Sequence, residues 1–251
     1  MSETNLEKYQ NPEKYDELYE HYQDDYLYIM EYARHINRPI IDLACGTGRV
    51  TIPLSKKGLT MIGVDLHAGM LDRAKQKATQ EQLDIRFEQQ DCSNLDLGVQ
   101  SPLIFMTGNS FQHFLTNESQ DALFESVKKH LASGGGFIFD TRNPILAELS
   151  AGDVSEERYL NSNNQTVIEK HTEEYDHHSQ ILHCTTETII QEREQSIQQS
   201  TESIALRYTY PLELKRLLAT HGFEWINIHG SWKKTVFEES SPQMIVHCKI
   251  G

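Results

Sequence analysis

The chain has 251 residues, 38% hydrophobic and 24% charged, enough for one sizeable core with room for an inserted or appended subdomain. Its formal net charge of −14 argues against a generic binder of phosphate backbones, which needs clustered Lys and Arg. No stretch approaches the roughly 18 to 20 apolar residues that span a bilayer as a helix.

The acidity is local. Residues 1 to 30 hold eight acids against two bases, residues 151 to 205 hold eleven against three, and the remainder is neutral. Cys45, Cys92, Cys184 and Cys248 form no CxxC pair, and the first residues carry no basic region followed by an apolar run. A reducing, cytoplasmic setting is therefore expected.

In chain order, residues 1–38 are dense in Tyr and acid, with apolar residues at helical intervals up to Ile36, which predicts one or two helices closing over something. PIIDLA then reads as a short strand entering a glycine loop, and Arg49 to Lys57 as a helix stopped by Gly58. TMIGVD is a strand ending in Asp65, Ala68 to Gln82 a helix, IRFEQQD a strand ending in Asp91, and PLIFMTG a buried strand ending at Gly108. Asn117 with Gln120 suggests a capping box opening a helix that ends at Gly134 to Gly136, before the strand FIFD. Five βα units over residues 39 to 140 imply a parallel sheet covered on both faces.

After RNP the period changes. TVIEKHTEEY, ILHCTTETII and STESIALRY alternate as strands of an antiparallel sheet with one wet face, the first two joined by the turn DHHS. PLELKRLLATHG gives a helix with Pro at its first turn and Gly past its end, and FEWINIHG and QMIVHCKI finish as strands suited to antiparallel pairing at the sheet edge. The expected domains are a helical lid (1–38), a core (39–150 and 206–251) and an inserted antiparallel β subdomain on the substrate side (151–205). His171, His177, His178 and His183 cluster near the hairpin turn, but alternation separates them, so a plain turn is favoured over a metal site.

The stretch DLACGTG, Asp42 to Gly48, is half of a dinucleotide fingerprint. The third small residue that GxGxxG requires is replaced by Thr51, and Asp42 stands where a carboxylate repels phosphate and attracts an ammonium. A cofactor with adenosine and no phosphate fits better, and S-adenosylmethionine (SAM) is one. Asp42 can receive its ammonium directly or through water, Gly46 and Gly48 let the backbone approach the aminoacid tail, and Asp65 can accept both ribose hydroxyls. Asp91, with Cys92 beside it, can accept from the adenine amino group. Each acid also has a structural alternative, since Asp42 can cap a neighbouring loop, Asp65 the following helix, and Asp91 can begin a turn. Ligands of open α/β sheets bind outside the carboxyl ends of the strands, which is where all three converge.

DLACGTG, GVDLHAGML, FEQQDCSNL and GGGFIFD resemble, in order, the motifs of class I SAM-dependent methyltransferases, closely over residues 39 to 140 and loosely beyond. The resemblance implies a Rossmann-like seven-stranded sheet with one reversed strand, a SAM site at the end of the first strand that includes Leu66, and an N-terminal lid. Ala44 stands where the family usually has its first glycine. GNSFQHF and DTRNP look most like glycine N-methyltransferase and related small-molecule methyltransferases. That match places Thr107 and His113 at the SAM site, Asn109 toward substrate and Arg142 on a substrate carboxylate, with anchoring of the inserted sheet by a salt bridge as the alternative for Arg142. Tyr15 resembles a lid tyrosine set against the sulfonium or substrate, and His113 and Tyr15 are the candidate catalytic residues; most of the other tyrosines read as a packing face.

The expected function is methyl transfer from SAM to a small molecule, an amine or cationic acceptor, with nitrogen as the acceptor atom. The alternatives are an O- or C-directed enzyme, or a SAM-binding module without turnover. The (D/N)PP(Y/F/W) tetrad of nucleic-acid amino methyltransferases is missing, which with the acidity counts against a nucleic-acid substrate; with no membrane-length apolar run and the hairpin histidines read as a turn, neither membrane nor metal is expected. The long hairpins suit pairing with a second subunit as a homodimer.

Overall fold

The computed structural model describes residues 5–161, 163–192 and 195–251. A seven-stranded sheet forms the centre, built from β1 (Ile40–Leu43), β2 (Met61–Asp65), β3 (Arg86–Gln89), β4 (Ser101–Met106), β5 (Leu131–Arg142), β10 (Phe223–His229) and β11 (Gln243–Ile250). Its order is β10-β11-β5-β4-β1-β2-β3, parallel except for β11, which runs antiparallel to both neighbours. β10 is therefore the edge strand, and β11 lies inside the sheet rather than at its border.

Alternate residues of the central strands feed two separate cores. Ile41, Leu43, Ile104, Met106, Phe137 and Phe139 face one, while Ile40, Leu103, Phe105 and Ile138 face the other. A sheet buried on both sides needs near-continuous apolar strands, which the sequence IIDL and its neighbours supply. Helices α3 (Thr51–Lys56), α4 (Ala68–Gln80), α5 (Asn117–His130) and α7 (Pro211–Thr220) accompany this sheet, and the one-turn α6 (Leu146–Leu149) leads to the inserted sheet.

Several sequence expectations are corrected. The segment between β3 and β4 is turn and loop, so the five strands are not five complete βα units. The capping box of α5 uses Thr116 and Ser119, one residue earlier than expected, and the Gln120 amide instead donates to Phe114 and Thr209. Gly134 to Gly136 lie within β5, because α5 already stops at His130.

The inserted sheet has four strands, in the order β6 (Asp153–Leu160), β7 (Thr166–Asp176), β8 (Ile181–Glu192) and β9 (Gln195–Arg207). β6 escaped the sequence reading because it is exposed along its whole length and carries no buried alternation. The proposed domain boundary at 205 cuts β9 two residues short of its end. Leu149, Tyr175, Leu182 and Tyr208 form a small apolar cluster at the root of this sheet.

Two helices precede the core, α1 (Pro12–Tyr19) and α2 (Asp24–Ala33), after a 3₁₀ turn at Glu7–Tyr9. Both are fixed by buried acids. Asp16 of α1 accepts from Thr47 Oγ1 (2.6 Å), Arg73 Nε (2.8 Å) and Lys77 Nζ (2.6 Å). Asp25 of α2 pairs with both terminal nitrogens of Arg49. Thr47 and Arg49 belong to the glycine loop and its exit, so the lid and the loop are one mechanical unit.

Past the end of α7, His221 sits between Asp121 (2.9 Å) and Glu125 (2.8 Å) of α5. Burial lowers its pKa, but these hydrogen bonds and charges outweigh burial and leave it raised. A raised folded pKa contributes stability that is complete below the unfolded pKa and is lost as pH rises through the folded value. His221→Gln is expected to cost about 1 kcal/mol near pH 6 and clearly less near pH 9, read from denaturant midpoints at the two pH values.

Candidate functional site

The carboxyl ends of β1 and β2 and the loop after β4 open onto one cleft. It is lined by Ala44, Gly46, Asp65, Leu66, His67, Met70, Cys92, Gly108, Ser110 and His113, and closed by Leu6, Tyr9 and Tyr15. Of the residues expected at a cofactor site, Tyr15, Ala44, Gly46, Asp65, Leu66, Cys92 and His113 come together here.

The loop after β1 is shaped by backbone conformation. Gly46 (φ +56) and Gly48 (φ +79) lie in the left-handed region, and a Cβ on Gly48 would meet Ile52 Cδ1 at 3.0 Å. Ala44 is also left-handed (φ +54), which explains why a glycine suits this position. The Gly46 N–H donates to Asp65 Oδ2 (2.8 Å), and the His67 N–H to Asp65 Oδ1 (2.8 Å). Asp65 thus ties the glycine loop to the start of α4 while its carboxyl borders the cleft. Burial raises its pKa against these two hydrogen bonds.

Asp42 lies beneath the loop and does not line the cleft. It is buried and accepts from Thr51 Oγ1 (2.5 Å). Burial pushes its carboxyl up to about 8, opposed by the Thr51 hydrogen bond and the Arg49 charge. Thr51, the residue that breaks the dinucleotide fingerprint, is therefore the partner of the acid that breaks it too.

Asp91 lies two residues beyond β3 and accepts from the Ser93 amide (2.9 Å) and hydroxyl (2.7 Å), the turn reading allowed by the sequence. Thr107 is buried, and its carbonyl accepts from Ser110 Oγ (2.8 Å). Asn109 is left-handed (φ +57) and donates its N–H to Asp140 Oδ1 (2.9 Å). Burial pushes Asp140 up to about 7. Arg142 is exposed at the end of β5, opposite Gln243, and borders neither this cleft nor the cavity beside it. Among the described residues it forms no ion pair, so the salt-bridge anchor is not observed.

His113 is held at both ring nitrogens. The Asn5 side chain pairs with the Ala205 backbone, accepting its N–H at Oδ1 (2.7 Å) and donating from Nδ2 to its carbonyl (2.8 Å), which fixes the amide orientation. The same Nδ2 faces His113 Nδ1 (3.3 Å), making Nδ1 the acceptor and Nε2–H the donor to the Tyr9 hydroxyl (2.9 Å). Burial, helped by the Lys8 charge, lowers the imidazole to about 4, so it is neutral at neutral pH.

Residues 5–9 form a strap. Asn5 clips to β9, Glu7 accepts from the Ser203 amide (2.9 Å) and hydroxyl (3.0 Å), and Leu6 and Tyr9 cover the cleft. The cleft holds about 560 Å³ of empty space, part of it open to solvent, with the strap across it. Leu6, Tyr9, His67, Met70, Gly108 and Ser110 were not anticipated. Tyr9 belongs to the same tyrosine-rich run as Tyr15, while Leu6 and Met70 carry no chemical signature.

A second cavity of about 420 Å³ lies between α1 and the inserted sheet and shares Tyr15 with the cleft. Among the described residues no cluster suited to a metal ion is present, and no helix is long and apolar enough to cross a membrane.

Residues 40–135 match the family model described as a methyltransferase domain. The chain is 26% identical over 247 residues to the glycine/sarcosine N-methyltransferase of Aphanothece halophytica, covering 94% of this chain and 86% of that protein. It is 27% identical to the cypemycin N-terminal methyltransferase of a Streptomyces species over 49% of each chain, and spans about half the length of other curated relatives it matches. In three dimensions it resembles a SAM-dependent methyltransferase from Clostridium acetobutylicum ATCC 824, with a TM-score of 0.79, 22% identity and coverage of 95% and 96%.

Proposed function

From the premise that this chain belongs to the class I SAM-dependent methyltransferases, we propose that it transfers a methyl group to a small-molecule acceptor, at nitrogen. The observation that carries the reading is the cleft itself, where a glycine loop, the Asp65 carboxyl and the Tyr9 and Tyr15 rings meet at the strand ends.

The residues suit the cofactor. A backbone without Cβ at Gly46 and Gly48 would hold the aminoacid tail, Asp65 would hold the ribose, Leu66, Met70 and Cys92 would flank the base, and the tyrosine faces would meet the sulfonium. An aromatic face favours a cation by roughly 0.5 to 2 kcal/mol, more when water is excluded. When bound, SAM supplies a methyl group on a good leaving group, so the protein's share is positioning and exclusion of water. The strap provides the exclusion.

With both ring nitrogens occupied, His113 has no free lone pair to take a proton, and it acts as a positioning residue for Asn5 and Tyr9. An amine acceptor needs no dedicated base if its proton leaves to water before transfer. Nitrogen is favoured because the inserted sheet brings Glu157, Glu169 and Glu202 to the second cavity, against Lys8 and Lys14 on its other wall, an excess of carboxylates that draws cations toward it.

The test is binding of SAM and S-adenosylhomocysteine by calorimetry, followed by a screen of amines, amino acids and phenols that reads S-adenosylhomocysteine release. Failure to bind either nucleoside removes the proposal. Phenols outperforming amines would move the acceptor atom to oxygen.

Asp42 offers a separate check. With its carboxyl near 8, it carries a proton at about pH 7, and an ammonium brought to the loop above it would expel that proton. SAM binding should then release up to roughly one proton, seen as a binding enthalpy that changes with the ionisation enthalpy of the buffer. A buffer-independent enthalpy would exclude Asp42 as the ammonium's counter-charge.

A further inference from the structure

The turn after β4 delivers three of the residues that line the cleft, Gly108, Ser110 and His113. The backbone turns left-handed there twice in succession, at Gly108 (φ +74) and at Asn109 (φ +57). Glycine adopts that conformation freely, whereas a residue with a Cβ pays a steric cost that is smaller for asparagine than for most. Asn109 leads directly into the 3₁₀ turn Ser110–His113, and its carbonyl accepts the Gln112 N–H (3.0 Å). The conformation of this one residue therefore sets where Ser110 and His113 stand.

What holds it is an acid of the neighbouring parallel strand. The Asp140 side chain of β5 is buried, its residue 1% exposed, and Oδ1 accepts the Asn109 N–H (2.9 Å). The Trp232 indole N–H, a donor only, is directed at the same carboxyl. Trp232 lies in the connection between β10 and β11, is buried, and packs edge-on against Tyr28 of α2 with ring centroids 5.2 Å apart. That connection is itself tied to the end of β5, where Asn143 Nδ2 donates to the carbonyls of Glu239 (3.0 Å) and Ser241 (2.9 Å).

Asp140 borders neither the cleft nor the second cavity, so it has no direct use for a ligand. A buried carboxyl is costly unless hydrogen-bond donors answer it, and an apolar side chain would serve the core better. The acid supplies direction instead. A carboxyl offers two oxygens to two converging N–H donors, where an amide offers one.

Resting on the methyltransferase reading for what fills the cleft, we infer that Asp140 is a positioning residue of the cofactor site. Oriented by Trp232, it fixes the left-handed turn at Asn109 and, through that turn, the placement of Gly108, Ser110 and His113 against the nucleoside.

The test measures S-adenosylhomocysteine affinity of the full chain by calorimetry, with a thermal melt of each variant. Asp140→Asn sets an NH₂ against one of the two converging donors and is expected to weaken binding by about tenfold. Trp232→Phe keeps a ring against Tyr28, removes the indole N–H, and should stay within about threefold of wild type. In the double variant the amide oxygen is free to face Asn109, so affinity should recover to within about threefold of Trp232→Phe. A carboxyl that served bulk stability alone would give two losses that add, with no rescue.

Hydrogen exchange at the Asn109 amide, followed by NMR in the wild-type chain, needs no variant and decides even if Asp140→Asn does not fold. Exchange should be slow in the free protein and at least about tenfold slower with S-adenosylhomocysteine bound, because the turn is then held from both sides. Unchanged affinity in Asp140→Asn, a double variant no better than Asp140→Asn alone, or Asn109 exchange indifferent to the nucleoside would each overturn the inference while leaving the cofactor reading standing. Failure of S-adenosylhomocysteine to bind the wild-type chain would overturn the cofactor reading instead.

Discussion

Asp65→Ala is expected to weaken S-adenosylhomocysteine binding by about 1 to 3 kcal/mol, roughly five- to 150-fold in Kd. The carboxyl borders the cleft, is half-buried, and holds the Gly46 and His67 amides at 2.8 Å each. Each carboxylate oxygen keeps acceptor capacity beyond its one backbone donor, which is what a vicinal diol requires. Removing the group deletes the ligand contact and frees the glycine loop together. Asp65→Asn keeps the shape but turns one acceptor into a donor, so its affinity should fall between the two. Calorimetry at fixed pH decides, and an unchanged Kd for the alanine variant would mean that this acid serves the loop alone.

Asp25→Ala is expected to be the most destabilising single change in the N-terminal segment, at about 3 to 5 kcal/mol. The Asp25 side chain is 1% exposed and that of Arg49 12%, so truncation leaves a buried guanidinium with neutral partners, the Tyr22 carbonyl (2.9 Å) and the Tyr15 hydroxyl. At roughly 2 to 4 °C per kcal/mol for a chain of this size, Tm should fall by about 6 to 20 °C. The surface pair Lys56–Glu81 (2.8 Å), with both side chains nearly half exposed, is the control, and Glu81→Ala should stay within about 1 kcal/mol of wild type. Equal shifts for the two variants would show that the Asp25–Arg49 pair is not a structural keystone.

The parallel sheet was legible because burial on both faces demands continuous apolar strands, and IIDL, MIGVD and PLIFM announce themselves. The closing N-terminal helices and the antiparallel pair at the end of the chain were read from pattern, and the resemblance added that the sheet has seven strands with one reversed. β6 was illegible for the opposite reason, since a strand exposed on both faces leaves no period in its sequence. At the cleft, Asp65 was expected from its strand end, and the structure sets it on the lining while it also accepts from the His67 amide at the start of α4. Asp42 sat in the expected strand, but only the structure reveals that Thr51 occupies its oxygen. Asp140 lies two residues before the end of β5, buried against the Asn109 amide, and was overlooked in favour of Arg142, which ends the strand. The strap escaped because its key residue, Asn5, acts by imitating a backbone, pairing with Ala205 as a neighbouring strand would.

That imitation has a kinetic consequence. Residues 5–9 cover the cleft, and Lys8 in the same segment also lines the second cavity, so one strap borders both spaces. If the strap settles over bound nucleoside, an acceptor seated against Lys8 arrives second. In steady-state kinetics, S-adenosylhomocysteine should compete with SAM but not with the acceptor, and high acceptor concentrations should slow turnover by delaying release of the spent nucleoside. A random-order pattern would mean that the strap moves independently of the wall it helps to build.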